Sequence, residues 1–290
     1  MRRTSDLSII ICGIVRNAEK GLRRNIPVLK KVCAAFREYN IFVYENDSVD
    51  KTKQLLQEWE KSDPSHVFIS LNNSDSSKTI PSQKETGQVN PFFSQKRIQK
   101  MAMLRNRYMD FIEKNDWVAD YLMVLDLDVA RISLDGVLNS FHSGVVWDAV
   151  TAFGYSLSPN LKWRYHDTYA LTEYGNEDKP QTLELIKSKA NELGKKRRTD
   201  EWIRVYSAFG GLAIYRFDAV KELKYQVIPN NDNYVEVRCE HFSLCKQMAE
   251  RGFDKVYINP HMELKYQSLS IGVIYNYIVR FFSPKTSAII

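Results

Sequence analysis

Apolar runs alternate with amphipathic segments along the first 130 positions of the chain. The first run is Leu7–Val15, and shorter runs follow at Ile41–Tyr44, Val67–Ile69 and Tyr121–Leu125. Such runs predict strands that are covered on both faces of a sheet. Between them, apolar residues recur three or four positions apart, most extensively in Gln95–Lys114, and this spacing is typical of helices. The alternation predicts an α/β fold with a mostly parallel sheet and helices on both faces.

The first helix is expected from about Asn25 onward, and Asp50 is placed to cap the second. Polar stretches then interrupt the pattern at 70–94 and 156–204. The second half of the chain is therefore expected to be rich in loops. Its regular elements are predicted at Ala149–Phe153, Ala208–Tyr215 and Lys255–Ile258 as strands, and from Ser133 and at Cys239–Arg251 as helices.

The pattern predicts one domain over residues 1–262, regular in its half 1–130 and loop-rich in its half 131–262. Residues 263–290 are expected to form an amphipathic tail. An apolar stripe of this kind either packs against its own domain or lies in a membrane interface, and the sequence leaves both open. The stripe consists of Ile271, Ile274, Tyr275, Ile278, Phe281 and Phe282.

Composition narrows the class of protein. The 290 residues are 44% hydrophobic and 12% aromatic, with 12 Gly and 9 Pro, which excludes collagen-like and disordered chains. The net charge of +6 favours small anionic ligands or an anionic membrane surface and argues against a nucleic-acid partner. The 4 cysteines form no C-x-x-C pair, so we expect reduced core residues. No run is long enough to span a bilayer, and we expect a protein that is cytoplasmic or peripheral on the cytoplasmic membrane face.

The sharpest chemical signal is the pair Asp126 and Asp128, directly after the fourth predicted strand. In an extended chain, side chains two positions apart face the same way, so both carboxylates can reach one site. Ligands of open α/β sheets bind beyond the carboxyl ends of the strands. Carboxylates and phosphate oxygens together bind Mn²⁺ or Mg²⁺, so we expect one of these ions here. A solvated turn is the alternative.

Other polar residues are expected at the same edge of the sheet. Arg105 occupies an apolar position of its helix, and a buried guanidinium needs an anion, either a diphosphate or an internal carboxylate. Arg16 follows the first strand, and Glu45 and Asp47 follow the second. These side chains can bind a ribose or a base, although a turn capped by Asp50 would use the same residue types.

These motifs, in this order, resemble the GT-A glycosyltransferases, and among them the capsule-associated mannosyltransferases of fungi and related bacterial and viral enzymes. The resemblance spans Ser8 to His261. It departs from the fungal family at Asp126–Asp128, since that family often lacks a complete Asp-x-Asp motif. The resemblance therefore does not indicate which sugar this chain would transfer. Its motifs are Tyr44–Thr52, Arg97–Ile98, Leu104–Arg107, Phe209–Tyr215, Cys239–His241 and Ile258–Pro260.

The resemblance implies an enzyme, a metal-dependent hexosyltransferase. It would move a sugar from a UDP- or GDP-sugar to a hydroxyl of a glycan or glycoconjugate. The resemblance leans to retention of configuration, and the GT-A fold serves both retaining and inverting enzymes. The half 1–130 would bind the donor and the half 131–262 the acceptor. The implied donor-binding residues are Arg16, Glu45, Asp47, Arg105, Asp126, Gly210 and Gly211; the catalytic residues are Asp128 and Glu240; and the metal ligands are Asp126, Asp128 and His261.

Aromatic residues beside polar ones mark candidates for acceptor binding in the segments Trp163–Asp167 and Asp200–Trp202, with Trp163 and Trp202 as the expected contacts. Buried loop anchors would look the same. For Glu240, the alternative is a favourable interaction with a helix dipole. For His261, it is an ordinary core or surface histidine.

Two other functions are compatible with parts of the sequence. Val124–Val129 also resembles the nucleophile motif of haloacid dehalogenase-type phosphatases. That family places the motif on its first strand, whereas three strands precede it here, and it needs a later acidic pair that this chain lacks. A non-catalytic module that binds sugars or nucleotides is the other alternative. The intact set of Asp126, Asp128 and Arg105 argues against it.

Overall fold

The computed structural model describes residues 3–73, 79–157 and 162–266. Their strands are β1 (Ser8–Val15), β2 (Glu38–Asn46), β3 (Val67–Asn72), β4 (Tyr121–Asp126), β5 (Arg131–Ile132), β6 (Ala149–Leu157), β7 (Trp163–Tyr165), β8 (Thr172–Glu173), β9 (Ile203–Ser207), β10 (Leu212–Arg216) and β11 (Val256–Lys265). Their helices are α1 (Glu19–Cys33), α2 (Thr52–Ser62), α3 (Gln83–Thr86), α4 (Gln95–Lys114), α5 (Leu134–His142), α6 (Leu183–Gly194), α7 (Phe217–Val220) and α8 (Glu240–Glu250), with 3₁₀ turns at Thr4–Asp6 and Pro91–Phe93.

All the strands belong to one sheet, in the order β3-β2-β1-β4-β10-β6-β11-β9-β8, with β5 paired to β11 and β7 paired to β6. Strands β3, β2, β1 and β4 are mutually parallel, and β10 runs antiparallel to β4. The carboxyl ends of β1, β2 and β4 therefore meet at one edge, together with the amino end of β10. This edge is where the ligand site of an open α/β sheet forms.

The apolar first strand is buried on both of its faces, as its sequence predicts. Ile10 and Cys12 pack in the layer that contains α4, whereas Ile9 and Ile11 pack in the layer that contains α1. All four side chains are at most 1% exposed. Full burial of one such isoleucine is worth about 1.5–3 kcal/mol, so the two apolar layers hold β1 rigidly at the centre of the sheet.

The structure confirms α4 over Gln95–Lys114 and corrects the first helix, which begins at Glu19 instead of near Asn25. The first turns of α1 are mostly charged and carry little apolar signal. Asn25 lies inside the helix as a buried amide that donates hydrogen bonds to the carbonyls of Leu127 and Val129. Helix α1 thereby contacts the segment that follows β4.

The second half contains more structure than its polar sequence suggested. Strands β7 and β8, helix α6 and the start of β9 lie within the polar stretch 156–204, where the sequence predicts loops. Strand β11 continues to Lys265, beyond the expected domain boundary at 262. The apolar stripe of the expected tail begins at Ile271 and lies outside the described residues.

Two smaller expectations concern the cysteines and the membrane. Cys12, Cys33, Cys239 and Cys245 are all buried and unpaired, which confirms that they are reduced core residues. Among the helices of the described ranges, none combines the length and the apolar content needed to cross a membrane.

Gly21 in α1 sets how closely this helix approaches the segment after β4. A Cβ at this position would lie 2.4 Å from the carbonyl oxygen of Leu127 and 2.7 Å from the Cα of Asp128. We expect Gly21→Ala to lower the free energy of unfolding by about 1–3 kcal/mol, because backbone on both sides must move. Urea unfolding measures this, with Lys20→Ala on the exposed face as the control. Equal stability of Gly21→Ala and wild type would contradict this packing argument.

Candidate active site

A cavity of about 410 Å³ opens at the edge where β1, β2 and β4 end. We call it the first cavity. Its polar lining comes from the residue after β1, the last residue of β2 and the carboxylates at the end of β4. Its lining includes Arg16, Asn46, Asp126, Asp128, His166 and Tyr266.

The loops after β1 and β2 support each other beside this cavity. The backbone N–H of Asn17 donates to the Ser48 hydroxyl at 2.9 Å, and the Asn17 side chain accepts from the N–H of Val49 at 2.9 Å. Arg16 lies 3.9 Å from the carboxylate of Asp47. Asn17 and Asp47 both have positive φ, 51° and 55°, a conformation that Asn and Asp tolerate best after glycine. The structure thus brings Arg16 and Asp47 together, as the sequence predicts.

Glu45 has a different position from the one expected of a donor-binding residue. Its carboxylate is fully buried and accepts a hydrogen bond from the backbone N–H of Ser48 within its own turn. Asn46, the next residue, lines the cavity instead. The alternative of a capped turn is also present, since Asp50 accepts from the N–H groups of Thr52 at 3.0 Å and Glu19 at 3.1 Å.

Asp126 and Asp128 both line the first cavity, as expected of side chains two positions apart. Burial raises the pKa of Asp126 to about 7, because Arg105 offsets only part of the desolvation and the nearby carboxylates of Asp128, Asp167 and Glu240 raise it further. Burial also raises the pKa of Asp128. Carboxylates held together in this way favour a cation as a partner, so the oxygen ligands present fit a divalent metal ion.

Arg105 is buried, with 3% of its side chain exposed, and it joins two of these carboxylates. Its Nε donates to Glu240 Oε1 at 2.8 Å, and its Nη2 lies 3.6 Å from Asp126 Oδ1. Phe209 packs against the guanidinium, with its ring centre 4.7 Å from Cζ. The internal salt bridge that the sequence left open for Arg105 therefore exists. Its Nη1 atom is buried and has no hydrogen-bond partner within the described part of the chain, so the two N–H groups of Nη1 remain for a ligand.

Glu240 begins α8 and is 3% exposed. Burial alone raises the pKa of its carboxyl group, but the adjacent charge of Arg105, with a smaller contribution from Arg97, outweighs this and lowers it to about 2. Its second oxygen contacts the thiol of Cys239 at 3.4 Å. Glu240 is therefore an ionised counter-ion of Arg105 and a weak base.

Gly210 and Gly211 form the turn that enters β10, with φ of 63° and 87°. The Gly211 carbonyl accepts the N–H of Asp126 at 2.8 Å, and the Gly210 N–H donates to Asp167 Oδ2 at 3.1 Å. A Cβ on Gly210 would lie 2.1 Å from the carbonyl oxygen of Ala152, so this close approach requires glycine. The turn holds Asp126 and Asp167 on either side of it.

A second cavity of about 320 Å³ adjoins the first and shares Met101, Asp126, His166 and Tyr266 with it. The His166 and Tyr266 rings stack with centres 3.9 Å apart. Tyr266 was missed in the sequence, since it follows β11 where an amphipathic tail was expected. The lining of this second cavity also includes Phe93, Arg97, Arg105, Asp167, Tyr169 and Glu240.

Three further expected site residues lie elsewhere. His261 Nε2 is 3.1 Å from Asp200 Oδ1, and the structure does not bring it to Asp126 and Asp128. Within 3–73, 79–157 and 162–266, no group of three His, Cys, Asp or Glu side chains is arranged to hold a metal ion. Trp163 is 40% exposed beside the guanidinium of Arg197, and Trp202 packs edge-on against Tyr257. Neither tryptophan lines either cavity.

Asp126 lies at the junction of the two adjoining cavities, with Asp128 beside it in the first cavity and the buried Arg105 in the second. Such a site can bind a metal-bound diphosphate in the first cavity and stabilise negative charge that develops on it. A polar ligand in the second cavity would then lie next to the diphosphate. These are the requirements of group transfer from a diphosphate to a second substrate.

Comparisons with known proteins agree with this geometry. The model of the family described as "Cryptococcal mannosyltransferase 1" matches residues 8–247. No curated protein is similar enough in sequence to match the chain.

Among solved structures, the mannosyltransferase PcManGT from Pyrobaculum calidifontis, in complex with GDP-Man and Mn²⁺, is similar over 93% of this chain and 59% of its own, with a TM-score of 0.51 and 12% identity. S. aureus TarS 1-349 is similar over 93% and 63%, with a TM-score of 0.46 and 11% identity. GalNAc-T7 with UDP, GalNAc and Mn²⁺ is similar over 92% and 44%, with a TM-score of 0.46 and 13% identity. The chain spans less than two thirds of each of these proteins. The likeness to PcManGT confirms the predicted fold class.

Proposed function

The chain belongs to the family described as cryptococcal mannosyltransferase 1, and on that basis we propose that it transfers a sugar from a nucleotide-sugar to an acceptor hydroxyl. Membership of this family confirms the resemblance found in the sequence. The single observation that supports the activity most strongly is the junction of two cavities at Asp126, where Arg105 also lies. A donor in the first cavity would place its diphosphate at this junction.

The first cavity is the proposed site of the nucleotide diphosphate. Arg16 and Asn46 line it at the ends of β1 and β2, where a ribose or base is bound in open α/β sheets. Asp126 and Asp128 would hold Mn²⁺ or Mg²⁺, and the bound ion would neutralise charge on the leaving diphosphate. The Nη1 donor of Arg105 would bind a phosphate or sugar oxygen beside it. GDP-Man is the first donor to test, because PcManGT holds GDP-Man and Mn²⁺.

Retention of configuration is proposed for the transfer, as the family resemblance implies, and Glu240 is not the base that an inverting transfer would need. An inverting transfer needs a carboxylate base near neutral pKa beside the acceptor hydroxyl. Glu240 has a pKa lowered to about 2 and is bonded to Arg105, so it is poorly suited to that task. Its proposed role is to position Arg105 at the junction of the two cavities.

We expect Glu240→Gln to lower turnover while leaving metal-dependent nucleotide binding near that of wild type. Glutamine retains an oxygen that can accept from Arg105 Nε but removes the charge that holds the guanidinium. Turnover is measured as release of nucleoside diphosphate, and NMR of the product gives its anomeric configuration. Glu250→Gln, at the exposed end of the same helix, is the control. An inverted product together with a nearly inactive Glu240→Gln enzyme would instead identify Glu240 as the base.

A thermal-shift screen tests the proposed function. GDP, UDP, GDP-Man and UDP-glucose are each added with Mn²⁺ and with EDTA. The expected result is a rise in Tm with one nucleotide series, only when the metal is present, because a ligand that binds only the folded state stabilises it. If none of the nucleotides raises Tm with Mn²⁺, the proposed activity is contradicted. Binding without any release of diphosphate would favour a non-catalytic binding module.

A further inference from the structure

The second cavity has polar groups that a nucleotide diphosphate in the first cavity does not use. Asp167 and Arg97 line the second cavity and not the first. We propose that the second cavity binds the acceptor as an uncharged sugar ring, and that Asp167 receives the hydroxyl group of that sugar. This inference rests on the proposed function and assigns a substrate class to the adjoining site.

Asp167 is fixed in position before any ligand binds. It follows β7, and its Oδ2 accepts the N–H of Gly210 at 3.1 Å, in the rigid turn that also holds Asp126. Its side chain is partly exposed, whereas Glu240 in the same cavity is 3% exposed and bonded to Arg105. Of these two carboxylates, Asp167 is the one with access to a substrate.

Arg97 provides hydrogen-bond donors in the same cavity. Its Nη1 donates to the carbonyl of Phe92 at 2.8 Å, which orients the guanidinium. Its Nε is buried and has no hydrogen-bond partner among the residues that the structure describes. A buried donor left unpaired is unfavourable, and a ligand oxygen would remove that cost.

Aromatic rings complete the lining. Phe93 and Tyr169 lie with their ring centres 4.5 Å apart at the wall of the second cavity. A cavity with apolar faces and a few convergent polar groups fits a sugar, whose ring has apolar C–H faces and a rim of hydroxyls that both donate and accept. Asp167 accepts from such hydroxyls and Arg97 donates to them.

The charges of the cavity favour an uncharged acceptor. Its carboxylates are Asp126, Asp167 and Glu240, and its guanidinium groups are Arg97 and Arg105. The two histidines at its wall add no positive charge near neutral pH, because burial lowers the pKa of both His166 and His241. The cavity therefore has no excess of positive charge to balance an acceptor that carries its own carboxylate or phosphate.

The experiment separates the acceptor from the donor. With Mn²⁺ and either GDP-Man or UDP-glucose, two rates are measured: donor hydrolysis by water, and transfer to methyl α-mannoside, methyl α-glucoside or methyl α-glucuronide. We expect Asp167→Asn to reduce transfer about 10- to 100-fold, because this is the usual contribution of a hydrogen bond to a charged group. Donor hydrolysis and GDP affinity should stay within a few-fold of wild type. Asparagine still accepts from Gly210, so the turn is preserved. Arg97→Gln is the second variant and should show the same pattern, and Glu173→Gln on β8 is the control.

Each other result has a definite meaning. The assignment of Asp167 to the acceptor would be overturned if Asp167→Asn left transfer unchanged. It would also be overturned if Asp167→Asn lost hydrolysis and transfer equally or lost GDP binding, because either result would place Asp167 on the donor side. The proposed substrate class would be overturned if the wild type transferred sugar to the glucuronide but to neither uncharged glycoside. It would also be overturned if the wild type hydrolysed the donor but transferred sugar to none of the three glycosides. If the wild type neither binds GDP or UDP nor hydrolyses either donor, the proposed function itself fails.

Discussion

Replacing Arg105 with methionine is expected to lower the free energy of unfolding by about 3–5 kcal/mol, the usual cost of removing one partner of a buried ion pair. The side chain of Arg105 is 3% exposed and that of its partner Glu240 is 4% exposed. Methionine fills most of the volume of the arginine stem but leaves the Glu240 carboxylate without its counter-ion. Urea unfolding at neutral pH measures the loss, which should appear as a lower midpoint at an unchanged slope.

The double variant Arg105→Met/Glu240→Leu separates loss of charge pairing from loss of packing. If the isolated carboxylate is the cause, the double variant should recover most of the stability, because hydrophobic replacements of buried pairs are often neutral or stabilising. Arg107→Met, at an exposed position of the same helix, should change stability by less than about 0.5 kcal/mol. Equal effects of Arg105→Met and Arg107→Met would contradict the role given to the buried pair.

The second large effect is expected at the metal. Asp128→Ala should weaken metal-dependent nucleotide binding on the order of 100-fold, or about 3 kcal/mol, while the fold is retained. Divalent ions at phosphates are held through only one or two carboxylates, so loss of one leaves too few protein ligands. Asp128 lies at the cavity wall and is not part of the Arg105–Glu240 pair. Its removal should therefore leave the unfolding midpoint close to that of wild type.

The central features of the candidate site could be predicted from local sequence pattern. Arg105 interrupts an apolar helical stripe, so its burial follows from the periodicity of α4 alone. Asp126 and Asp128 directly follow a continuous apolar strand, and a parallel strand order places them at the ligand-binding edge. Periodicity and strand direction are local properties, and the sequence carries them directly.

Partners that lie far apart in the chain could not be predicted in this way. Arg105 and Glu240 are 135 positions apart, and nothing in either segment shows that they meet. The sequence left both a diphosphate and an internal carboxylate open for Arg105, and the fold selects Glu240 and Asp126 as its partners. Asp167 follows the three-residue strand β7, which is too short for a periodic pattern to indicate which way its side chain faces.

His261 shows how an irregular strand defeats inference from spacing. The pairing of β11 with β6 shifts register between Asn259 and Glu263, so alternation does not continue through this segment. His261 lies within that irregularity and pairs with Asp200 instead of the carboxylates at the end of β4. A bulge changes which face a side chain occupies, and only the three-dimensional structure shows where it occurs.

The proposed activity depends on a nucleotide diphosphate that binds through a metal at Asp126 and Asp128, and calorimetric titration tests this most directly. GDP and UDP are titrated into wild type, Asp128→Ala and the exposed control Asp135→Ala, each with Mn²⁺ and with EDTA. The predicted result is that one nucleotide binds to wild type and to Asp135→Ala in Mn²⁺. This binding should be lost in EDTA, and it should be lost in a folded Asp128→Ala. Equal affinity of wild type and Asp128→Ala in Mn²⁺, or no binding of either nucleotide by any variant, would contradict it.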